Sequence, residues 1–187
     1  MENHLQSSAC ADEVLKFWFD ELEPKQHFIK DSELDTHIRD RFGDLLMAAL
    51  ACELWPWRSS ANGRLAEVIV LDQFSRNVYR DQPQAFEGDR LALCLAQEAI
   101  ALGVDQQLPA TRRSFLYMPF MHSESLLIQA QSVDLFSQPG LAQNLEFAHR
   151  HRDIIERFGR YPHRNQLLNR QSSPEELAFL CEPGSSF

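Results

Sequence analysis

Apolar residues along this chain recur three and four positions apart, and the period of two that marks a half-buried strand never persists. Within ADEVLKFWF, Ala11 to Phe19, the residues Val14, Leu15, Trp18 and Phe19 form such a pattern, and Asp12 and Glu13 suit a first helical turn. Leu34, Ile38, Phe42, Leu45, Leu46, Ala49 and Leu50 make a longer stripe that must be buried against other helices. Trp55-Pro56-Trp57 closes that segment, and the aromatic pair is expected to seal one end of the core. From Gly63 or Arg64 to about Tyr79, the VIV run alone suggests a strand, but its continuation through Leu71, Phe74 and Val78 favours a helix.

Punctuation residues divide the rest. Pro83 marks a loop, and Gly88 or Asp89 opens a helix that passes Leu91, Leu95 and Ile100 and ends at Gly103. Thr111 to Met118 reads as a short helix ended by Pro119, followed by a helix from about Ser123 to Phe136 with Ser123 as its cap. Pro139-Gly140 separates this from an amphipathic helix, Leu141 to Phe158, stopped by Gly159. Pro174 to Leu180 is the last element, since Pro-Glu-Glu makes a good first turn. The expected fold is all-α, with seven to nine helices joined by short connections in a single domain spanning 1–187.

Composition narrows the function classes. The chain of 187 residues, 44% hydrophobic and 24% charged, is long enough to bury a core without disulfides or metal. Cys10, Cys52, Cys94 and Cys181 are scattered with no CxxC pair, which predicts reduced thiols in a cytoplasmic protein. The first twenty residues lack the basic start and apolar centre of a signal peptide, and no run reaches the length of a membrane span. A formal net charge of -9 disfavours a nucleic-acid partner. Six of the fifteen arginines nevertheless lie between Arg150 and Arg170, so one face is expected to be locally positive. Gly-x-Gly loops and the P-loop pattern are absent, and with them the grounds for a nucleotide cofactor.

Four polar stretches do not fit a solvated face. In LDQFSRN, Leu71 to Asn77, helical spacing pairs Asp72 with Arg76, Gln73 with Asn77, and Arg76 with Arg80, either as a structural bridge or as a ligand-facing group. In MPFMHSES, Met118 to Ser125, His122 is expected at the N-terminus of the helix capped by Ser123, with Glu124 in its first turn. There the dipole would disfavour protonation, giving a neutral base or a packed corner residue. In FAHRHRDIIERF, His151 shares an apolar face with Phe147, Ile154, Ile155 and Phe158, while His149 points to the side. In FGRYPHRNQLLNR, Phe158 to Arg170, a tight corner carries Arg160, His163, Arg164 and Asn165. Its arginines are either satisfied internally by Asp72, Glu124 or Asp153, or held open for an anion. No local spacing links His122, Glu124, His151 and His163 into a metal site, and Ser123 beside His122 is a weak nucleophile signal.

The blocks LDQFSRNVYR, FLYMPFMHSE and HRDIIERFGRYPHRN, with VLKFWF near the start and SSPEELAFL near the end, resemble an uncharacterised bacterial family catalogued as domain of unknown function 924. The resemblance implies a tetratricopeptide-like fold, a right-handed array of antiparallel helices, and no assigned reaction. Family blocks match Asp72, Gln73, Arg76 and Asn77; His122, Ser123 and Glu124; and His151, Phe158, Gly159, Arg160, Pro162, Arg164 and Asn165.

Three functions compete on these residues. The leading one is a binding domain for a small anionic ligand or peptide, with a pocket lined by Arg76, His122, Arg160, His163 and Arg164, and with Asp72, Asn77, His151 and Asn165 around it. The second is a metal-independent hydrolase or lyase using His122 or His163 as general base with Glu124 as its partner. The third is a protein-interaction scaffold; oligomeric state is left open.

Overall fold

A computed structural model describes residues 11–186, and no strand occurs among them. Helix α1, 11–16, continues into a π turn, Phe17–Glu21. It is followed by α2, Ser32–Leu50, in which Asp31 accepts the amides of Glu33 and Leu34 as N-cap. Helix α3 begins at Ala61–Ile69, passes through a π turn at Val70–Phe74 and ends with Ser75–Val78. Then come α4 (Asp89–Ala101), α5 (Ala110–Met121), α6 (Leu126–Phe136), α7 (Ala142–Phe158) and α8 (Pro174–Phe179). Cys10 lies outside the described residues; Cys52, Cys94 and Cys181 are exposed free thiols. No helix among the described residues is long and apolar enough to cross a membrane.

α3 is the central rod. It packs on α2, α4 and α5, and its residues from Leu65 to Phe74 are buried almost without interruption. Phe74 stands among Phe17, Trp18 and Phe42, with ring centroids 6.1, 5.6 and 4.9 Å away. Such continuous burial is inconsistent with one narrow helical stripe. The Ala61–Ile69 segment is already enclosed by α4 and α5, and the π turn at Val70–Phe74 adds an extra residue midway along the rod. It also leaves carbonyls that side chains must satisfy: Ser75 Oγ donates to Leu71 O at 2.7 Å, and Arg76 Nη1 donates to Asp72 O at 2.6 Å.

Several local expectations change in the tertiary setting. Pro119 does not end a helix, because α5 runs through it to Met121. Burial of every residue from Ser114 to Met121 outweighs the roughly 3 kcal/mol cost of an interior proline. Ser123 does not cap α6; Ser125 occupies that position, and Ser123 Oγ accepts the Ser125 amide at 3.2 Å. Of the tryptophan pair, Trp57 is 4% exposed and belongs to the core, whereas Trp55 is 64% exposed. Phe147 also faces outward, leaving Ala148, His151, Ile154 and Ile155 as the buried face of α7. Gly159 adopts φ +68° at the end of α7, a conformation that glycine reaches without a Cβ clash. Beyond it, Tyr161 and Phe179 join Ile154 and Ile155 in a smaller apolar cluster that seats α8.

Candidate functional site

Asp72 lies in the π turn of α3 with its side chain 1% exposed. Gln73 Nε2 donates to its Oδ2 at 2.5 Å, while Oδ1 receives Arg76 Nη1 at 3.3 Å and His122 Nδ1 at 2.7 Å. Burial pushes this carboxyl up, but Arg76 and His122 outweigh it and hold it well below the usual carboxylate range. An ionised Asp72 is acceptor-only, so His122 donates from Nδ1 and its neutral ring keeps a lone pair on Nε2.

His122 occupies the end of α5 as its C-cap, with its amide on Met118 O at 3.0 Å. This reverses the expected placement at a helix N-terminus. The dipole at a C-terminus favours protonation, yet the affinity of His122 for a proton is still lowered. Burial is the main cause and Arg76 the second, opposed by Asp72. The turn holding His122 is closed by buried Gln129, which donates to Met121 O and Ser123 O, and by the Tyr161 hydroxyl, which donates to Met121 O at 2.5 Å.

Asp89 has no special signal in the sequence beyond opening a helix, yet it joins two arginines. Gly88 makes this possible, because a Cβ there would stand 2.5 Å from Leu71 O. The start of α4 therefore rests directly on the π turn. Arg76 meets Asp89 with two bonds of 2.9 and 3.1 Å, and Arg164 Nη1 reaches Asp89 Oδ2 at 3.4 Å. The Arg164 guanidinium lies between the Phe86 and Tyr161 rings, 4.7 and 4.6 Å from their centroids. Its Nε is buried without a hydrogen-bond partner among the described residues, and burial lowers its pKa against the pull of Asp89.

Two further histidines complete the cluster. The His151 ring lies 6.4 Å from His122 and 5.7 Å from Tyr161, and its Nδ1 bonds Phe147 O at 2.8 Å. The His163 ring lies 5.6 Å from Tyr161. Burial pulls His151 down to about 3 and His163 down to about 4, with neighbouring His122 and Arg164 acting in the same direction. Asp72, Arg76, His122, His151, His163 and Arg164 are thus brought together from α3, α5, α7 and the corner after α7.

Other residues singled out in the sequence have different partners. Asn77 donates to Asp35 of α2 at 2.8 Å, and Arg80 bonds the same carboxylate, so neither Gln73–Asn77 nor Arg76–Arg80 forms a pair. Arg160 is held by Glu176 with bonds of 2.7 and 2.8 Å, and Asp153 is bonded by Arg152. Glu124 is not in a helical first turn. It takes two bonds of 2.6 and 2.9 Å from Arg170 and accepts the Tyr161 amide. Asn165 joins Ser172 to Arg170. FGRYPHRNQLLNR therefore divides in two: Arg160, Asn165 and Arg170 fasten the C-terminal segment, while Tyr161, His163 and Arg164 turn inward. Among the described residues, no group of three His, Cys, Asp or Glu side chains converges on a point that would hold a metal ion.

Comparison with known proteins agrees with this architecture. A solved structure of a protein of unknown function, ATU0120, from Agrobacterium tumefaciens is 40% identical, covers 94% of this chain and 98% of its own, and superposes with a TM-score of 0.89. No curated protein matches the chain. The family model described as a bacterial protein of unknown function (DUF924) matches residues 14–184, nearly the whole chain, and the protein belongs to that family.

Proposed function

We propose that the Arg76–Arg164 end of this cluster binds a small anion, a carboxylate or phosphate carried by a metabolite or peptide. The observation that carries the reading is the position of Arg164. It is 7% exposed, yet among the described residues its ion-pair contact is 3.4 Å long, to a carboxylate that already has two bonds from Arg76. A buried cation with so little compensation gains strongly from an arriving anion, and a planar guanidinium suits oxyanions.

Substitution of Arg164 separates this reading from a structural clasp. Asp89 keeps both Arg76 bonds in Arg164→Met, and the methionine can occupy the slot between Phe86 and Tyr161. Calorimetric titration with inorganic phosphate should show binding to the native protein and at least a tenfold loss in Arg164→Met. Unfolding free energy should change by no more than about 1 kcal/mol, because removal of an under-compensated buried charge offsets the lost stacking. A loss of about 3–5 kcal/mol in stability with no phosphate binding by the native protein would identify Arg164 as structural.

Two broader readings accompany this one. A tetratricopeptide-like array is supported by the packing of α5 on α6 and of α6 on α7, neighbours in sequence lying as neighbours in space. A reducing, cytoplasmic setting is supported by the exposed free thiols of Cys52, Cys94 and Cys181.

A further inference from the structure

We propose that Asp72 and His122 form a proton-transfer dyad, with Nε2 of His122 as the general base acting on the molecule whose anionic group is held at Arg164. The inference rests on the anion-binding reading and adds a reaction to it.

Geometry carries the proposal. Asp72 fixes His122 through Nδ1 and is itself fixed by Gln73 and Arg76, so ring orientation and tautomer are set by a buried, ionised carboxylate. Nδ1 is thereby occupied, and Nε2 is left as the basic atom. The His122 side chain is 16% exposed, against 1% for Asp72, so of the two it is the one nearer solvent. His122 and Arg76 share one oxygen of Asp72, while Arg76 and Arg164 share Asp89. Base and anion subsite are therefore parts of one bonded chain.

The charged and titratable groups around the imidazole are Asp72 and Arg76 from α3, Asp89 from α4, His151 from α7 and His163 from the corner beyond it, and Arg164 acts on both His151 and His163. His151 places its Nδ1 on a backbone carbonyl and His163 stands against the Tyr161 ring, whereas His122 is oriented by the Asp72 carboxylate.

The step balances within the site. A substrate X–H bond breaks, the proton goes to Nε2, and the electron pair remains on X. The imidazolium is compensated by Asp72, and the negative charge on X is met by Arg164 and Arg76. The substrate class is a small carboxylate or phosphate with an acidic O–H or C–H bond a few bonds from its anionic group. Asp72 touches no substrate in this scheme and acts as a positioning residue.

Bromoacetate, a small reactive carboxylate, probes both halves of the arrangement at once. Its carboxylate occupies the anion subsite while Nε2 attacks the methylene carbon; the N–C bond forms, the C–Br bond breaks, and bromide leaves with the bonding pair. Peptide mass spectrometry should find His122 alkylated at least tenfold faster by bromoacetate, as the carboxymethyl adduct, than by neutral bromoacetamide, as the carbamidomethyl adduct, with His149 as internal control. Phosphate should protect His122, and NMR should place the adduct on Nε2. The pH profile of the rate should follow deprotonation of His122. In Asp72→Asn that profile should shift and the rate should fall at least tenfold, with recovery in Asp72→Glu. Where Asp72→Asn does not fold, the two reagents and the adduct position in the native protein decide the matter.

Equal rates with both reagents, or an Nδ1 adduct, in a protein that binds phosphate would overturn the dyad and leave anion binding intact. Absence of both phosphate binding and phosphate protection would overturn the anion-binding reading and the dyad with it.

Discussion

Acidification from pH 7 to pH 5 should destabilise the fold through histidines before any carboxylate responds. His151 and His163 titrate near 6.5 in the unfolded chain but only at about 3 and about 4 in the folded protein, chiefly because burial penalises the imidazolium. Below pH 6.5 the unfolded chain takes up protons that the folded one refuses, so unfolding becomes easier as pH falls. At about 1.36 kcal/mol per pH unit, 1.5 units below the unfolded pKa amounts to about 2 kcal/mol for each histidine and about 4 kcal/mol for the two. His27 and His122 are shifted in the same direction, again chiefly by burial, and steepen the slope. Asp72, Glu124 and Glu176 have depressed folded values, so their contribution is lost only below about pH 4.5, outside this window. Urea unfolding at pH 7 and pH 5, for the native protein and His151→Gln, isolates the effect. The variant should show a loss about 2 kcal/mol smaller between the two pH values. An identical loss in both proteins would mean that His151 titrates alike in the folded and unfolded chains, and the burial argument would fail.

Other substitutions probe the supporting structure. Glu67 is fully buried and bonded twice by Arg58, so Arg58→Met should cost about 3–5 kcal/mol in chemical denaturation by stranding the carboxylate. Gly88→Ala drives a methyl group against the Leu71 carbonyl and should lower the melting temperature, which differential scanning calorimetry reads directly. Gly43→Ala, inside α2 with open space at the Cβ position, should instead stabilise by about 1 kcal/mol. The Tyr117 hydroxyl donates to buried Asp105 at 2.5 Å, and Tyr117→Phe should destabilise by about 1–3 kcal/mol in the same assay.

Local pattern specifies most of the helices, because side-chain direction repeats with the backbone: a stripe such as Leu34, Ile38, Phe42 and Leu46 announces both an element and its buried face. It likewise sets the stop at Gly159 and the opening of α8 by Pro174, Glu175 and Glu176, which depend on atoms a few residues apart; the Ser173 cap is seen in the structure. The same local logic picks out Asp72, Arg76, His122, His151, His163 and Arg164 as polar residues in apolar surroundings. Their partners are set by the packing of distant elements, since ion pairing depends on distances that no local period encodes. Asp89 lies 75 positions from Arg164 and has the pattern of an ordinary first-turn acid; Gly88 is what brings it onto the π turn. Pro119, a helix breaker by intrinsic preference, is overruled by the burial of its neighbours. The continuation of α5 through it also moves His122 from the start of one helix to the end of another, and it sets the ring beside Asp72.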